Sequence, residues 1–245
     1  MKRYVVFVLF WAWLPSSFAA LTVDRSRMVI NEGERSVSIG VTNPDRRSPY
    51  LAQGWIEDES GKKVPGPLIV IPPVQRLEAG SSTRVRIQAL DDIASLPKDK
   101  ESVFYFNLRE IPPKTDKPNV LVLAVQTRLK VFYRPKGLKV DEMAHSVPGT
   151  ESLTLSRANN RYVVHNPTPY HFSFVGVRTA LNGSVVENVE PVMVSPRQNI
   201  ALGSDIPVTD TPVLVFVNDF GSQMLLPFRC AGSTCKAGHV QQTPL

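Results

Sequence analysis

Four cations in this sequence are spaced so that extended backbone would gather them in pairs. Arg25 and Arg27 lie two residues apart near the start. Lys130 and Arg134 lie four apart inside the stretch Asn119 to Pro135, NVLVLAVQTRLKVFYRP. Alternate residues of a strand share one side, so each pair would present two positive charges together. A single such charge ordinarily faces solvent. If the cations converge in a cleft between domains, they form a site for a carboxylate or phosphate, held by charge-assisted hydrogen bonds. Nothing comparable points to catalysis. There is no G-x-S-x-G elbow, no H-E-x-x-H and no glycine-rich phosphate loop. Asp91 and Asp92 are adjacent, would face opposite ways on a strand, and read as a turn or helix start. His145, His165, His171 and His239 show no ligand spacing with Cys230 or Cys235. The chain is therefore expected to be no enzyme and to carry neither cofactor nor metal.

The stretch that holds Lys130 and Arg134 changes character along its length. Val120 to Val125 is apolar throughout; from Gln126 onward polar and apolar residues alternate, with Arg128, Lys130 and Arg134 threaded between Leu129, Val131 and Tyr133. β-Branched and aromatic residues dominate without a helical period, which predicts one strand of unusual length. A run apolar on both faces reads as a central strand buried on both. It also reads as an edge strand whose second face is kept for a partner, because an exposed apolar edge is otherwise an aggregation hazard.

Lys2 and Arg3, the apolar run Tyr4 to Leu14, and small residues at Ser17 and Ala19 make residues 1–19 a cleavable export signal. The run is too short for a spanning helix, which needs about 20 residues, and Pro15 closes it. The formal charge of the whole chain is +6, and Lys2 and Arg3 account for two of those charges. The remaining excess is too mild for a nucleic-acid protein and weakly favours an anionic partner. In an oxidising compartment Cys230 and Cys235 read as a disulfide. The small loop would give only about 2 kcal/mol, so the bond would pin the C-terminal strand locally. No C-x-x-C spacing supports a redox role.

From Leu21 the sequence is a succession of short strand patterns. They cover Val23 to Ile30, Val37 to Val41, Tyr50 to Glu57, Leu68 to Ile71, Val85 to Ala89, Val103 to Leu108 and the long stretch, with turns at Asn43-Pro44, Ser60-Gly61 and Ala79-Gly80. This count and spacing predict an immunoglobulin-like sandwich. Asp91 to Leu96 has room for one helical turn. Arg134-Pro135-Lys136-Gly137 reads as a hinge. Patterns then resume at Leu153-Leu155, Tyr162 to Val164, Phe172 to Arg178, Val192 to Val194, Val213 to Val217 and Met224 to Phe228, with a tight turn at Asn182-Gly183. Val41-Thr42-Asn43-Pro44 and Val164-His165-Asn166-Pro167 echo one another, which favours two related sandwiches in tandem. The expected division is a signal over 1–19, one domain over 20–136 and a second over 137–245.

The blocks Asp24-Arg25-Ser26-Arg27, Tyr50-Leu51-Ala52-Gln53, Pro72-Pro73-Val74-Gln75-Arg76-Leu77, Phe104 to Pro113, and Gln126-Thr127 with Lys130 and Phe132 to Pro135 resemble those of the PapD-like periplasmic pilus chaperones. Asn166-Pro167-Thr168-Pro169-Tyr170, Ser195-Pro196-Arg197, Asn218-Asp219 and the cysteine pair extend the likeness over nearly the whole mature chain. The resemblance implies an all-β, boomerang-shaped pair of immunoglobulin-like domains in the periplasm. It implies a chaperone that lends the last strand of its first domain to a pilus or fimbrial subunit lacking one, then delivers it to an outer-membrane usher. By position, Arg27 and Lys130 would anchor the subunit's C-terminal carboxylate, and Leu121, Leu123 and Val125 would enter its groove. Glu101, Arg134 and Asp219 would form an interdomain ionic cluster. The loop Pro112 to Asn119 resembles the short-loop subgroup. Nucleic acid and membrane insertion are not implied, and a self-capping homodimer is allowed when no subunit is bound. The rival expectation is a secreted structural or adhesive tandem sandwich, with an ordinary buried last strand and no cation cleft. Lys130 lies five residues past Val125, so an unbroken strand would point them to opposite faces. Either a bulge or twist intervenes near Gln126 to Arg128, or anchors and plugs occupy different faces.

Overall fold

The computed structural model describes residues 21–114, 121–140, 147–158, 161–203 and 206–243. The expected signal lies outside them. The first sandwich holds β1 (Thr22–Val23), β2 (Arg27–Asn31), β3 (Ser36–Thr42), β4 (Tyr50–Glu57), β5 (Leu68–Ile71), β6 (Val74–Leu77), β7 (Ser82–Ala89), β8 (Ser102–Ile111) and β9 (Gln126–Arg134). They form a four-stranded sheet in the order β1-β3-β7-β5 and a five-stranded sheet in the order β2-β9-β8-β4-β6. Alternation along these strands drives the layering. On β7, Val85 and Ile87 face a core with Ile39, Val41, Ile56 and Phe106, while Arg84 and Arg86 face water.

The second sandwich holds β10 (Thr154–Ala158), β11 (Arg161–His165), β12 (Phe172–Arg178), β13 (Val192–Val194), β14 (Asn199–Ala201), β15 (Val213–Val217), β16 (Gln223–Ala231), β17 (Thr234–Ala237) and β18 (Gln241–Gln242). Its two layers share β16, whose first half pairs with β15 and whose second half pairs with β17. The core between them contains Leu155, Tyr162, Phe172, Phe216 and Phe228. Cys230 and Cys235 stand opposite one another on β16 and β17 and are disulfide-bonded, a local staple across one hairpin.

Three sequence expectations are corrected. The first strand is not continuous: β1 pairs with β3 and β2 with β9, so the chain crosses between layers at Asp24 to Ser26. Arg25 sits in that crossing, bonded to Asp24, and shares no strand face with Arg27. The long strand is shorter than read, because β9 begins at Gln126 and residues 121–125 belong to no strand. Strands β6, β14, β17 and β18 were not anticipated; all are four residues or fewer, too short to show a period. The single turn near Asp91 is present as a 3-10 turn over Asp91–Ser95. The turn at Asn182-Gly183 closes with Gly183 N–H donating to Ala180 O at 2.9 Å.

The echo between the halves is structural. Asn43 is buried; its side-chain amide donates to Ser48 O and Glu78 O, and its Oδ1 accepts from Asp45 N. Asn166 is buried likewise, donating to Tyr170 O and Ser195 O and accepting from Thr168 N. Both backbone N–H groups donate across the sandwich, to Ser81 O and Gln198 O. Each asparagine thus ties a turn in its own sandwich to a distant turn. Replacing either with alanine orphans buried backbone carbonyls and is expected to cost about 2–3 kcal/mol, read as a lower urea midpoint at unchanged slope.

Candidate functional site

The first wall of the site is built by β9. Its pairing with β8 runs without interruption from Arg109 opposite Gln126 to Ser102 opposite Tyr133. No bulge intervenes, so strict alternation holds: Leu129, Val131 and Tyr133 enter the core, while Lys130, Phe132 and Arg134 face the second sandwich. Strand β2 runs parallel to β9 and places Arg27 directly opposite Lys130. The bulge that the sequence allowed near Gln126 to Arg128 is therefore absent from the paired strand, while residues 121–125 lie before β9 and take no face from its register.

The second wall comes from β12 and the end of β15. Lys130 Nζ donates to Ser173 Oγ at 2.8 Å, and Arg27 Nη1 donates to the carbonyl of Val217 at 2.7 Å. Arg27 is buried, lies 5.9 Å from the ring centre of Phe132, and has no partner for its Nε among the described residues. Burial, then the neighbouring positive charges of Arg27 and Arg128, pulls the Lys130 ammonium down to about 8. Burial likewise lowers Arg27, opposed by Asp219 and Glu101. Two half-desolvated cations side by side repel, and an incoming anion relieves both penalties at once.

A second cluster closes the cleft from behind. Arg134 is buried and reaches Glu101 Oε1 with Nε and Nη2, each at 2.7 Å. It also grips Asp219 in a bidentate fork at 2.8 and 3.2 Å. The other Glu101 oxygen accepts from the backbone N–H of His171 at 2.8 Å and faces its Nδ1 at 3.2 Å. Tyr170 lies under the guanidinium at 5.4 Å. Burial pushes the Glu101 carboxyl up, but its hydrogen bonds to His171 and the charge of Arg134 outweigh this and hold it below its ordinary 4.5.

Residues 121–125 lie immediately before the start of β9. Val125 O still accepts from Glu110 N at 2.9 Å, and there the ladder stops. Leu121 is 80% exposed, Leu123 67% and Val125 44%. Val122 and Ala124 are exposed too, so the reading of this run as a central strand buried on both faces does not hold. Beyond that bond, no strand among the described residues pairs with them. The loop from Pro112 to Asn119 includes residues 115–119, so its subgroup lies outside the described residues.

Sequence reading placed Arg27, Lys130, Glu101, Arg134 and Asp219 here and missed His171 and Ser173. Their two-residue spacing was the available signal, the same rule that singled out the arginines.

Residues 20–139 match the family described as "Pili and flagellar-assembly chaperone, PapD N-terminal domain", and residues 148–227 match "Pili assembly chaperone PapD, C-terminal domain". The chain belongs to the PapD-like pilus chaperone family. Among its relatives, the "Probable fimbrial chaperone YfcS" of Escherichia coli is 42% identical over 226 residues, covering 92% of this chain and 89% of that one. "Chaperone protein PapD" of Escherichia coli is 41% identical over 218 residues, 89% of each. The crystal structure of the CupB2 chaperone of Pseudomonas aeruginosa superposes with a TM-score of 0.69 at 28% identity, over 86% of this chain and all of that one. The match spans both sandwiches, the cleft between them included.

Two outcomes test the rear cluster. Arg134→Ala strands Glu101 in a buried position and is expected to cost about 3–5 kcal/mol, read by urea unfolding. Because the folded Glu101 carboxyl titrates below its unfolded 4.5, its contribution is complete above that pH and lost as pH falls through the folded value. Glu101→Gln is expected to flatten that acid limb of the stability profile.

Proposed function

We propose that this protein is a periplasmic chaperone that folds and caps pilus subunits by lending them a strand, then hands them to an outer-membrane usher. The observation that carries the reading is an exposed apolar segment leading directly into a two-cation cleft. The edge of β9 toward β2 is occupied from Lys130 onward; among the described residues no strand pairs with that edge before it. A subunit strand laid along the free part would end where β2 begins. Its terminal carboxylate would lie between Arg27 and Lys130, and it would run parallel to β9, as β2 does.

Alternation supports the plugs. If residues 121–125 become extended in register with β9, Leu121, Leu123 and Val125 fall on the face of Leu129 and Val131. They would then continue the chaperone's core into the subunit's open groove, while main-chain bonds complete its sheet. Each buried aliphatic is worth roughly 1.5–3 kcal/mol in gross transfer, so three together exceed one charge-assisted hydrogen bond at roughly the same figure. The leucines and valine supply affinity. The cations set register, since a slip of one residue turns every plug to the wrong face. Glu101, Arg134 and Asp219 hold the angle between domains, divided at 136/137, that keeps both walls of the cleft in reach.

The family's members are chaperones, and nothing in the cleft calls for catalysis. Export through a cleaved signal over residues 1–19 would bring the chain to the periplasm. No helix among the described residues is long and apolar enough to cross a membrane. The rival reading, a structural or adhesive tandem module, requires a buried last strand, which the exposure of Leu121 and Leu123 disfavours. A free chaperone would have reason to cover the same segment with a second copy of itself.

Leu123→Glu is expected to leave the thermal melt unchanged and abolish co-purification with a subunit; a collapsed fold would restore the buried-strand reading. Binding should also weaken as pH rises through about 8, because the free Lys130 ammonium then loses its charge. Lys130→Met should bind weakly and show no such alkaline loss when titrated calorimetrically.

A further inference from the structure

The turn between β15 and β16 carries an aromatic side chain that the cleft does not use. Phe220 is 63% exposed, yet the backbone beneath it is fixed. Buried Asn218 accepts the N–H groups of Phe220 and Ser222 on its Oδ1, at 3.1 and 2.9 Å, and its backbone N–H donates to Ser222 O at 2.9 Å. On one side of Phe220, Asp219 is held by Arg134. On the other, Gly221 has φ +88° and packs so closely that a Cβ there would lie 2.6 Å from Ser26 Oγ. A large apolar ring left mostly in water gains little for the fold by burial. Rigid exposed aromatics are the usual anchors of protein interfaces, because little entropy is lost on contact.

Its position names the occupant. Ser26 immediately precedes Arg27, the residue opposite Lys130 where β2 begins. A subunit strand on the free edge of β9 ends at that point, so the turn bearing Phe220 flanks the last residues of the strand and not its middle. We infer that Phe220 recognises an apolar or aromatic side chain within the last two or three residues of the bound subunit, on the side facing the second sandwich. The inference rests on the carboxylate-anchoring reading and adds side-chain selection to it: the cations read the chain end, and Phe220 reads the residue beside it.

The test uses the full mature chain and a synthetic strand peptide with alternating valine and threonine, a free C-terminal carboxylate and phenylalanine as the penultimate residue. A second peptide carries alanine there. Phe220→Ala is expected to weaken binding of the first peptide about five- to tenfold, to leave the second unchanged and to preserve the melt. Phe220→Leu should recover part of the loss. If Phe220→Ala binds the first peptide as tightly as the native chain while Lys130→Met has lost it, the inference is overturned and the anchoring reading stands. Undiminished binding by both variants overturns the two together.

Discussion

The unbroken register between β8 and β9 is the constraint on which the site depends. Because no bulge relieves it, one strand carries Leu129, Val131 and Tyr133 to the core and Lys130, Phe132 and Arg134 to the second sandwich. A single slip would turn Lys130 and Arg134 from their partners into the apolar core and turn three core residues out of it, a cost far above that of any local adjustment. The cations are therefore positioned by the hydrophobic core behind them. Arg27 inherits the same precision, since its place opposite Lys130 is set by the parallel pairing of β2 with β9.

The rear ionic cluster works by a different balance. Glu101 and Arg134 are buried, and burial alone disfavours both charges. They persist because Glu101 spends one oxygen on Arg134 and the other on His171, while Arg134 divides its donors between Glu101 and Asp219. Such a network adds little net stability over an apolar replacement, but every member needs the others in place. Its members come from the residue just before β8, from β9, from the residue just before β12 and from the β15–β16 turn, so its bonds run between the two sandwiches. The cleft needs that relation, because Lys130 and Arg27 find Ser173 and Val217 only across it.

Much of this was legible in the sequence, for reasons that differ by residue. Strands such as Phe172–Arg178 and Val213–Val217 were read with their observed bounds because dense apolar runs between turn residues admit few other readings. The paired Asn-Pro turns were legible as an echo and proved to be the same hydrogen-bonded device twice over. The crossing of the first strand between layers was not, because Asp24 to Ser26 carries no proline or glycine to mark it. The limit of β9 was hidden for a related reason. Val120 to Val125 has every strand propensity, but propensity does not supply a partner, and β8 ends before the run is covered.

That mismatch between propensity and structure is where the proposed strand donation would act. An apolar segment of strand-forming residues, left in water beside an open sheet edge, costs solubility and invites aggregation. It is tolerable only if the exposed state is transient or its partner is abundant. In the proposed role, the cations at its root would add selectivity to the risk. A strand pairing with β9 at an arbitrary point would bury plugs but leave Arg27 and Lys130 half-desolvated and without an anion, whereas a strand ending there satisfies both. On the proposed reading, hydrophobic burial would make pairing favourable for many strands, and the charge penalty would make it most favourable for one that terminates at the cleft, so affinity and register would have separate physical sources.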